Sequence, residues 1–327
     1  MGKNILHLAN TTYNITSSEE KYQPYSERLE TYIVPAVFLL IFVIGVIGNG
    51  TVVFVFLKHQ SMRNVPNTYL FSLALADLLV IITCVPFTSI LYTMEYWPWG
   101  EAVCKISECA KDISIGVSVF TLTALSIERY YAVVYPLRRL QVVLIAVIIW
   151  LLAIGCAIPN AIFARIKYDP INGENGNTKI PYCFPFPANI PNYAKYSVIV
   201  KSLIYYIIPL IAISFFYILM AIRLQTKIPG ASQQGVAAQA KARKHVARMV
   251  LIFVFLFFVC FLPQHVWLLW FNLSPNAQQE YNEWWHLVKM VGFCLSFFNS
   301  CVNPIALYFA SAVFRAYFNK YLFCQNV

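Results

Sequence analysis

Long stretches without charge alternate with short polar ones along most of this chain. Ile33 to Leu57, Leu140 to Ala164, Ser202 to Ile222 and Met290 to Phe314 carry no Asp, Glu, Lys or Arg. Met249 to Gln279 has only His265 to interrupt it, and Val65 to Tyr92 only Asp77. About 20 apolar residues in a helix cross the hydrocarbon layer of a bilayer, so the pattern predicts six spanning helices. A seventh is expected around Ile113 to Ile127, behind Lys105, Glu108, Lys111 and Asp112. Charges in those turns must be kept from lipid, which makes this the central, most protein-covered helix. The fold class is therefore all-α, a seven-transmembrane helix bundle with a short amphipathic eighth helix. In that last helix Phe314, Phe318 and Phe323 are expected in the membrane interface, with Arg315 and Lys320 toward the headgroups. Residues 1–31 read as an outer arm, 32–311 as the bundle, and 312–327 as the eighth helix with a short inner tail.

Composition agrees: 59% of the 327 residues are hydrophobic, 12% are charged, and mean hydropathy is +0.62. The net charge of +10 needs a location before it means anything. The segments after spans one, three, five and seven hold Lys58, Arg63, Arg129, Arg138, Arg139, Arg223, Lys227, Lys241, Arg243, Lys244, Arg248, Arg315 and Lys320, with Glu128 as their only acid. Basic loops stay in the cytosol, so the N-terminus is outside and the chain is a multi-pass membrane protein. The charge is then an orientation signal, and no nucleic-acid partner is expected. Asn10 and Asn14 each open a glycosylation sequon in the outer arm.

Cys84, Cys156, Cys260, Cys294 and Cys301 lie in apolar spans, where a small buried thiol is the ordinary reading. Cys104 and Cys183 fall on the oxidising outer side and can form a bridge, with Cys109 as a competing partner. Asp77 is costly in lipid and needs a partner or an ion. Asn49, Ser118, Asn299 and Asn303 are the polar residues at similar depth on other spans. Asp77, Ser118, Asn299 and Asn303 are candidates for a sodium site; the alternative is hydrogen bonding between helices without an ion. Pro209, Pro263 and Pro304 each interrupt a span and permit a kink.

The polar landmarks carry a resemblance. Gly48-Asn49, LALAD ending at Asp77, WPWG at Trp97 to Gly100, ERY at Glu128 to Tyr130, Trp150, CFLP at Cys260 to Pro263 and NPIALY at Asn303 to Tyr308 follow one another over nearly the whole chain. In this order they resemble the rhodopsin-like (class A) G-protein-coupled receptors. MRNVPN at Met62 to Asn67, SIGVSVFTLTALS at Ser114 to Ser126 and the longer NPIALY are similar to the bombesin and endothelin branch. Within it, YNEWWH and FNKYLFC resemble the insect CCHamide neuropeptide receptors.

That resemblance implies a receptor for an extracellular amidated neuropeptide, coupled to heterotrimeric G proteins. It favours Cys104 with Cys183 as the disulfide. It implies a switch made of Glu128, Arg129, Phe261, Pro263, Asn303, Pro304 and Tyr308, in which the acid of ERY holds the arginine at rest. Phe261 stands where most relatives have tryptophan. Lys111, Asp112, Lys201, Gln264 and His265 are the candidate ligand contacts, with an internal pair of Lys111 with Asp112 or Glu108 as the alternative. Phe271 and Phe293 occupy places where bombesin-like receptors carry basic ligand contacts. Cys324 is a palmitoylation candidate beside the membrane.

Rival readings fit less well. An opsin needs a lysine deep in span seven, and none follows Lys289; an amine receptor needs an acid at Lys111. No TVGYG filter, HExxH or metal-ligand spacing is present, the repeats expected of a transporter are missing, and nothing reads as an enzyme. No cofactor is expected beyond the allosteric sodium ion. One departure from the pattern is that Pro136 is followed only by LRRLQ before span four, where close relatives have a longer loop. Arg315 to Val327 also lacks Ser and Thr. Together these suggest a peptide-binding form, such as a splice variant or decoy, that couples poorly.

Overall fold

A computed structural model describes residues 28–89, 93–94, 96–134, 141–171, 178–187, 189–225 and 233–324. Asn10, Asn14, Pro136, Arg138 and Arg139 lie outside them. Among the described residues seven helices are long and apolar enough to span a bilayer. They are α1 (Glu30–Lys58), α2 (Val65–Thr83), α3 (Gly100–Val134), α4 (Val142–Phe163), α5 (Tyr193–Ser202, a π-turn at Leu203–Ile207, then Ile208–Gln225), α6 (Gln233–Leu273) and α7 (Glu283–Ala310). A short α8 (Ala312–Leu322) follows.

The central position expected of the third span is borne out. α3 packs against α2, α4, α5 and α6, and 61% of its apolar window is buried against 22% for α4. The outward side chains of α4, such as Val143, Leu151 and Ile162, are more than half exposed, as a lipid-facing helix requires.

Local chemistry sets the helix ends. The Asn64 side chain accepts a hydrogen bond from the Asn67 amide at the start of α2, and Asn282 does the same for Trp285 at the start of α7. Ser311 caps α8 and ends α7 three residues short of Phe314, where the uncharged stretch ends. The second span breaks at Cys84 and resumes as one turn, Val85–Thr88, with Pro86 in its first turn. In α5 the π-turn ends two residues before Pro209, whose missing N–H would otherwise have bonded the carbonyl of Tyr205 within that turn.

α7 is held close on two sides. A Cβ on Gly48 would come within 2.6 Å of the Pro304 ring, and one on Gly292 within 2.7 Å of the Gln264 amide nitrogen. Glycine at these two places lets α1 and α6 touch α7 almost backbone to backbone. Pro304 frees the carbonyl of Ser300 four residues earlier. The Asn49 side chain fills that vacancy, donating from Nδ2 at 2.8 Å while also reaching the Gly45 carbonyl at 3.0 Å. Asn49 is thus an α1–α7 fastener.

Strands β1 (Arg165–Ile171) and β2 (Thr178–Phe184) form an antiparallel hairpin over the outer face, with Ile166 opposite Cys183. The Trp97 amide donates to the Pro181 carbonyl at 2.7 Å, and its indole to the Gly100 carbonyl at 2.9 Å. The WPWG loop is thereby pinned to the hairpin. The expectation for α8 needs correction at two of its three phenylalanines: Phe314 and Phe318 are buried in the main core, while Phe323 is exposed together with Val313 and Leu322. The eighth helix turns its aromatic stripe inward because the inner ends of α1 and α7 offer aromatic partners, Phe54, His59 and Tyr308.

Candidate functional site

The outer end of the bundle is closed on one side by the hairpin. Cys183 on β2 is bonded to Cys104 on α3, their Cα atoms 5.5 Å apart, and Cys104 is fully buried beside Trp97 and Ala164. Cys109 stays free, its thiol directed at the Ala157 carbonyl. The bridge fixes the hairpin as a lid along one edge of the pocket.

Inside that edge each charged candidate is paired with an opposite charge. Lys201 on α5 meets the Asp112 carboxylate on α3 at 2.7 Å. Asn160 on α4 joins both, donating to Asp112 at 2.9 Å and accepting from Lys201 at 3.1 Å. Its Nδ2 also lies 3.0 Å from the Glu108 carbonyl. Three helices share one neutral knot. Lys111 pairs with Glu108 one turn back on its own helix, so of the two internal partners weighed for it the ion pair goes to Glu108. His265 Nδ1 is 3.1 Å from the Ser202 hydroxyl, and its ring lies 4.6 Å from that of Tyr206. Gln264 Oε1 and Trp267 Nε1 are buried with no hydrogen-bond partner among the described residues.

An aromatic wall completes the outer ends of α6 and α7. Trp270 stacks on Trp285 with centroids 3.8 Å apart, Trp267 stacks on Phe271 at 5.4 Å, and the Lys289 ammonium stands 5.7 Å over Trp267. Phe293 stacks on Phe38 of α1. The wall and the role of Asn160 escaped sequence reasoning, whereas the Lys111–Glu108 pair was one of the two internal pairs expected. Asn160 carried a signal, since it is the one carboxamide in an otherwise apolar α4.

Beneath Lys111 a narrow cavity runs inward between α3, α6 and α7, lined by Lys111, Ser114, Ser118, Phe261, Ser296 and Asn299 among others. Asp77 is fully buried near its inner end. Asn303 donates to Asp77 Oδ2 at 2.8 Å and the Ser300 hydroxyl stands beside the same carboxylate, whereas Asp77 Oδ1 and Ser118 Oγ lack a close partner among the described residues. Unsatisfied buried oxygens of this kind suit a small hard cation. Phe261 packs on Phe257 with centroids 4.7 Å apart at the cavity wall, two residues before Pro263.

At the inner end the Arg129 guanidinium lies 2.6 Å from the carboxylate of its neighbour Glu128. Both side chains are little exposed, at 13% and 12%, which strengthens their attraction over that of a surface pair. Arg129 Nε has no hydrogen-bond partner among the described residues. Tyr308 does not face this pair; its hydroxyl donates to Asn319 of α8 at 3.1 Å. Cys324 is exposed just past α8.

Residues 48–308 match the family model described as 7 transmembrane receptor (rhodopsin family). The chain is 51% identical over 326 residues to the neuropeptide CCHamide-1 receptor of Drosophila melanogaster, an alignment covering 95% of this chain and 64% of that protein. It is also 34% identical over 330 residues to the [Phe13]-bombesin receptor of Bombina orientalis, covering 98% and 84% respectively. With seven apolar helices, the hairpin disulfide, the Asp77–Asn303 bond and the Glu128–Arg129 pair in one bundle, the chain belongs to the rhodopsin family of seven-transmembrane receptors.

Proposed function

We propose that this chain is a cell-surface receptor for an amidated neuropeptide of the CCHamide kind and passes the binding signal to heterotrimeric G proteins. What carries the reading is the 51% identity with the Drosophila receptor over nearly the whole chain, although the chain spans only 64% of that receptor's length. The peptide enters between the hairpin and the aromatic wall and touches Lys111, Asp112, Lys201, Gln264 and His265. Lys111 and Lys201 arrive there already neutralised by acids. Coupling to the cytosol requires two bundle states that the peptide binds unequally. At rest Glu128 holds Arg129. In the active state α6 pivots at Pro263, Phe261 repacks against the cavity, and Arg129 is released. Sodium at Asp77, Ser118, Asn299 and Asn303 would favour the resting state by supplying positive charge to the buried carboxylate. Asn10 and Asn14 carry glycans and Cys324 a palmitoyl chain in this reading. The test is a calcium-mobilisation screen of amidated neuropeptides on cells expressing the chain, with radioligand binding on the same cells. Saturable binding of no peptide at normal surface expression would overturn it.

A second reading rests on one observation: only residues 135–141 join α3 to α4. With so short an inner loop, the surface offered to a G protein shrinks, and the chain binds peptide but couples poorly. Comparing peptide binding with G-protein activation at low receptor density separates the two readings. A full response at a potency near the binding affinity would eliminate the second.

A further inference from the structure

The outer rim where α1 meets α7 brings two metal-ligating side chains together. The His286 Nε2 atom on α7 lies 3.3 Å from the Glu30 carboxylate on α1, and the two side chains are 31% and 23% exposed. The Tyr281 hydroxyl stands 3.1 Å from His286 Nδ1, on the other side of the ring. The imidazole is thus oriented from both sides while remaining open to solvent. A charge-assisted N–H···O bond prefers about 2.7–2.9 Å, so 3.3 Å is long for direct pairing. It suits two ligands of one tetrahedral ion, where bonds of about 2.0–2.2 Å set the nitrogen and the oxygen about 3.4 Å apart.

The donor set says which ion. An imidazole with a carboxylate suits zinc, whereas calcium and magnesium favour oxygen ligands. A metal on Nε2 leaves the proton on Nδ1, which then donates to the Tyr281 oxygen, the kind of outer contact that fixes metal-bound histidines. Around His286 the charged groups are Glu30, Glu283 and Lys289. The two carboxylates favour a cation there and the Lys289 ammonium opposes it. Among the described residues no third His, Cys, Asp or Glu joins the pair, so water fills the remaining positions. We propose that Glu30 and His286 form an extracellular binding site for a zinc ion that cross-links α1 to α7. With two protein ligands the dissociation constant should be on the order of 10 μM. His286 follows Trp285, which stacks on Trp270 of α6, so the ion would also tie the aromatic wall of the pocket to α1. The two ligands come from opposite ends of the chain and leave none of the spacing that marks a zinc motif in sequence.

The experiment uses the full chain in neutral detergent, carrying Cys324→Ser to remove its exposed thiol. Zinc chloride is titrated in competition with a chromophoric chelator, and the unfolding midpoint is followed by tryptophan fluorescence. At about 100 μM zinc the midpoint should rise by about 3 °C, and magnesium at the same concentration should not move it. His286→Gln and Glu30→Gln should each weaken zinc about tenfold or more. Glu30→His breaks the ion pair but keeps a metal ligand, so it should hold zinc at least as well as the parent. Lys289→Met should tighten zinc about threefold by removing the neighbouring cation. His59→Gln, on the inner side, should change nothing. If a glutamine variant fails to fold, Glu30→His and Lys289→Met decide the matter. Zinc affinity unchanged in both glutamine variants, affinity lost in Glu30→His, or an equal shift with magnesium would each overturn the site.

Discussion

Replacing Asn49 with alanine should cost far more than its size suggests. Its side chain, 1% exposed, donates to two carbonyls, and these are not equivalent. Gly45 keeps its helical donor, the Asn49 amide, whereas the carbonyl of Ser300 has none because residue 304 is proline. The truncation therefore orphans one buried carbonyl, at about 1–3 kcal/mol. Hydrogen bonds between membrane helices average only about 0.6 kcal/mol, since separated helices find other partners, but a proline-freed carbonyl has no such recourse. We expect about 2 kcal/mol and a fall of about 5 °C in the unfolding midpoint. A matched control exists in Asn272, whose side chain donates to the Leu268 carbonyl at 2.8 Å, an acceptor that retains its own helical N–H. Asn272→Ala should cost under about 0.5 kcal/mol. Unfolding can be followed by a thiol-reactive dye, because Cys84, Cys260 and Cys301 are buried. Equal losses for the two variants would refute the reasoning.

The other expectations concern signalling. Cys183→Ser should abolish peptide binding and remove about 2–4 kcal/mol of stability, checked by radioligand binding at matched surface expression; unchanged affinity would mean that the hairpin holds its place without the bond. Asp77→Asn should eliminate the weakening of agonist binding by high sodium, and a sodium effect of the same size in the variant would put the ion elsewhere. Glu128→Gln should raise ligand-independent signalling, tilting the two-state balance by about 1–3 kcal/mol, and level basal activity at equal surface amounts would count against the resting pair.

Hydrophobic run length made the seven helices legible, because a bilayer imposes one length on every span. It was least informative where charge and helix overlap. α7 begins at Glu283, seven residues before its uncharged stretch, and α5 begins at Tyr193 with Lys195 and Lys201 inside it. Polar residues within spans were legible as a set but not as partners. Asp77 and Asn303 do meet, yet Asn49 looked equally eligible and serves Ser300 instead. Pairings across the bundle depend on helix rotation, which a run of Leu, Ile and Val does not encode. The same holds for the aromatic wall and for the inward turn of Phe314 and Phe318, whose partners come from helices remote in sequence.

The contact between Gly292 and the backbone at Gln264 divides α6 very unequally. Outward of it the helix runs only to Leu273, about 14 Å, while inward it runs to Gln233, about 46 Å. A helix resting on such a point is a lever with arms in a ratio of about three. A displacement of 1 Å at Leu273 becomes about 3 Å at the inner end, without any change in the contact itself. The amplification is set by where one residue lacks a Cβ, so moving that glycine by a turn would alter the gain of the device while leaving both of its ends intact.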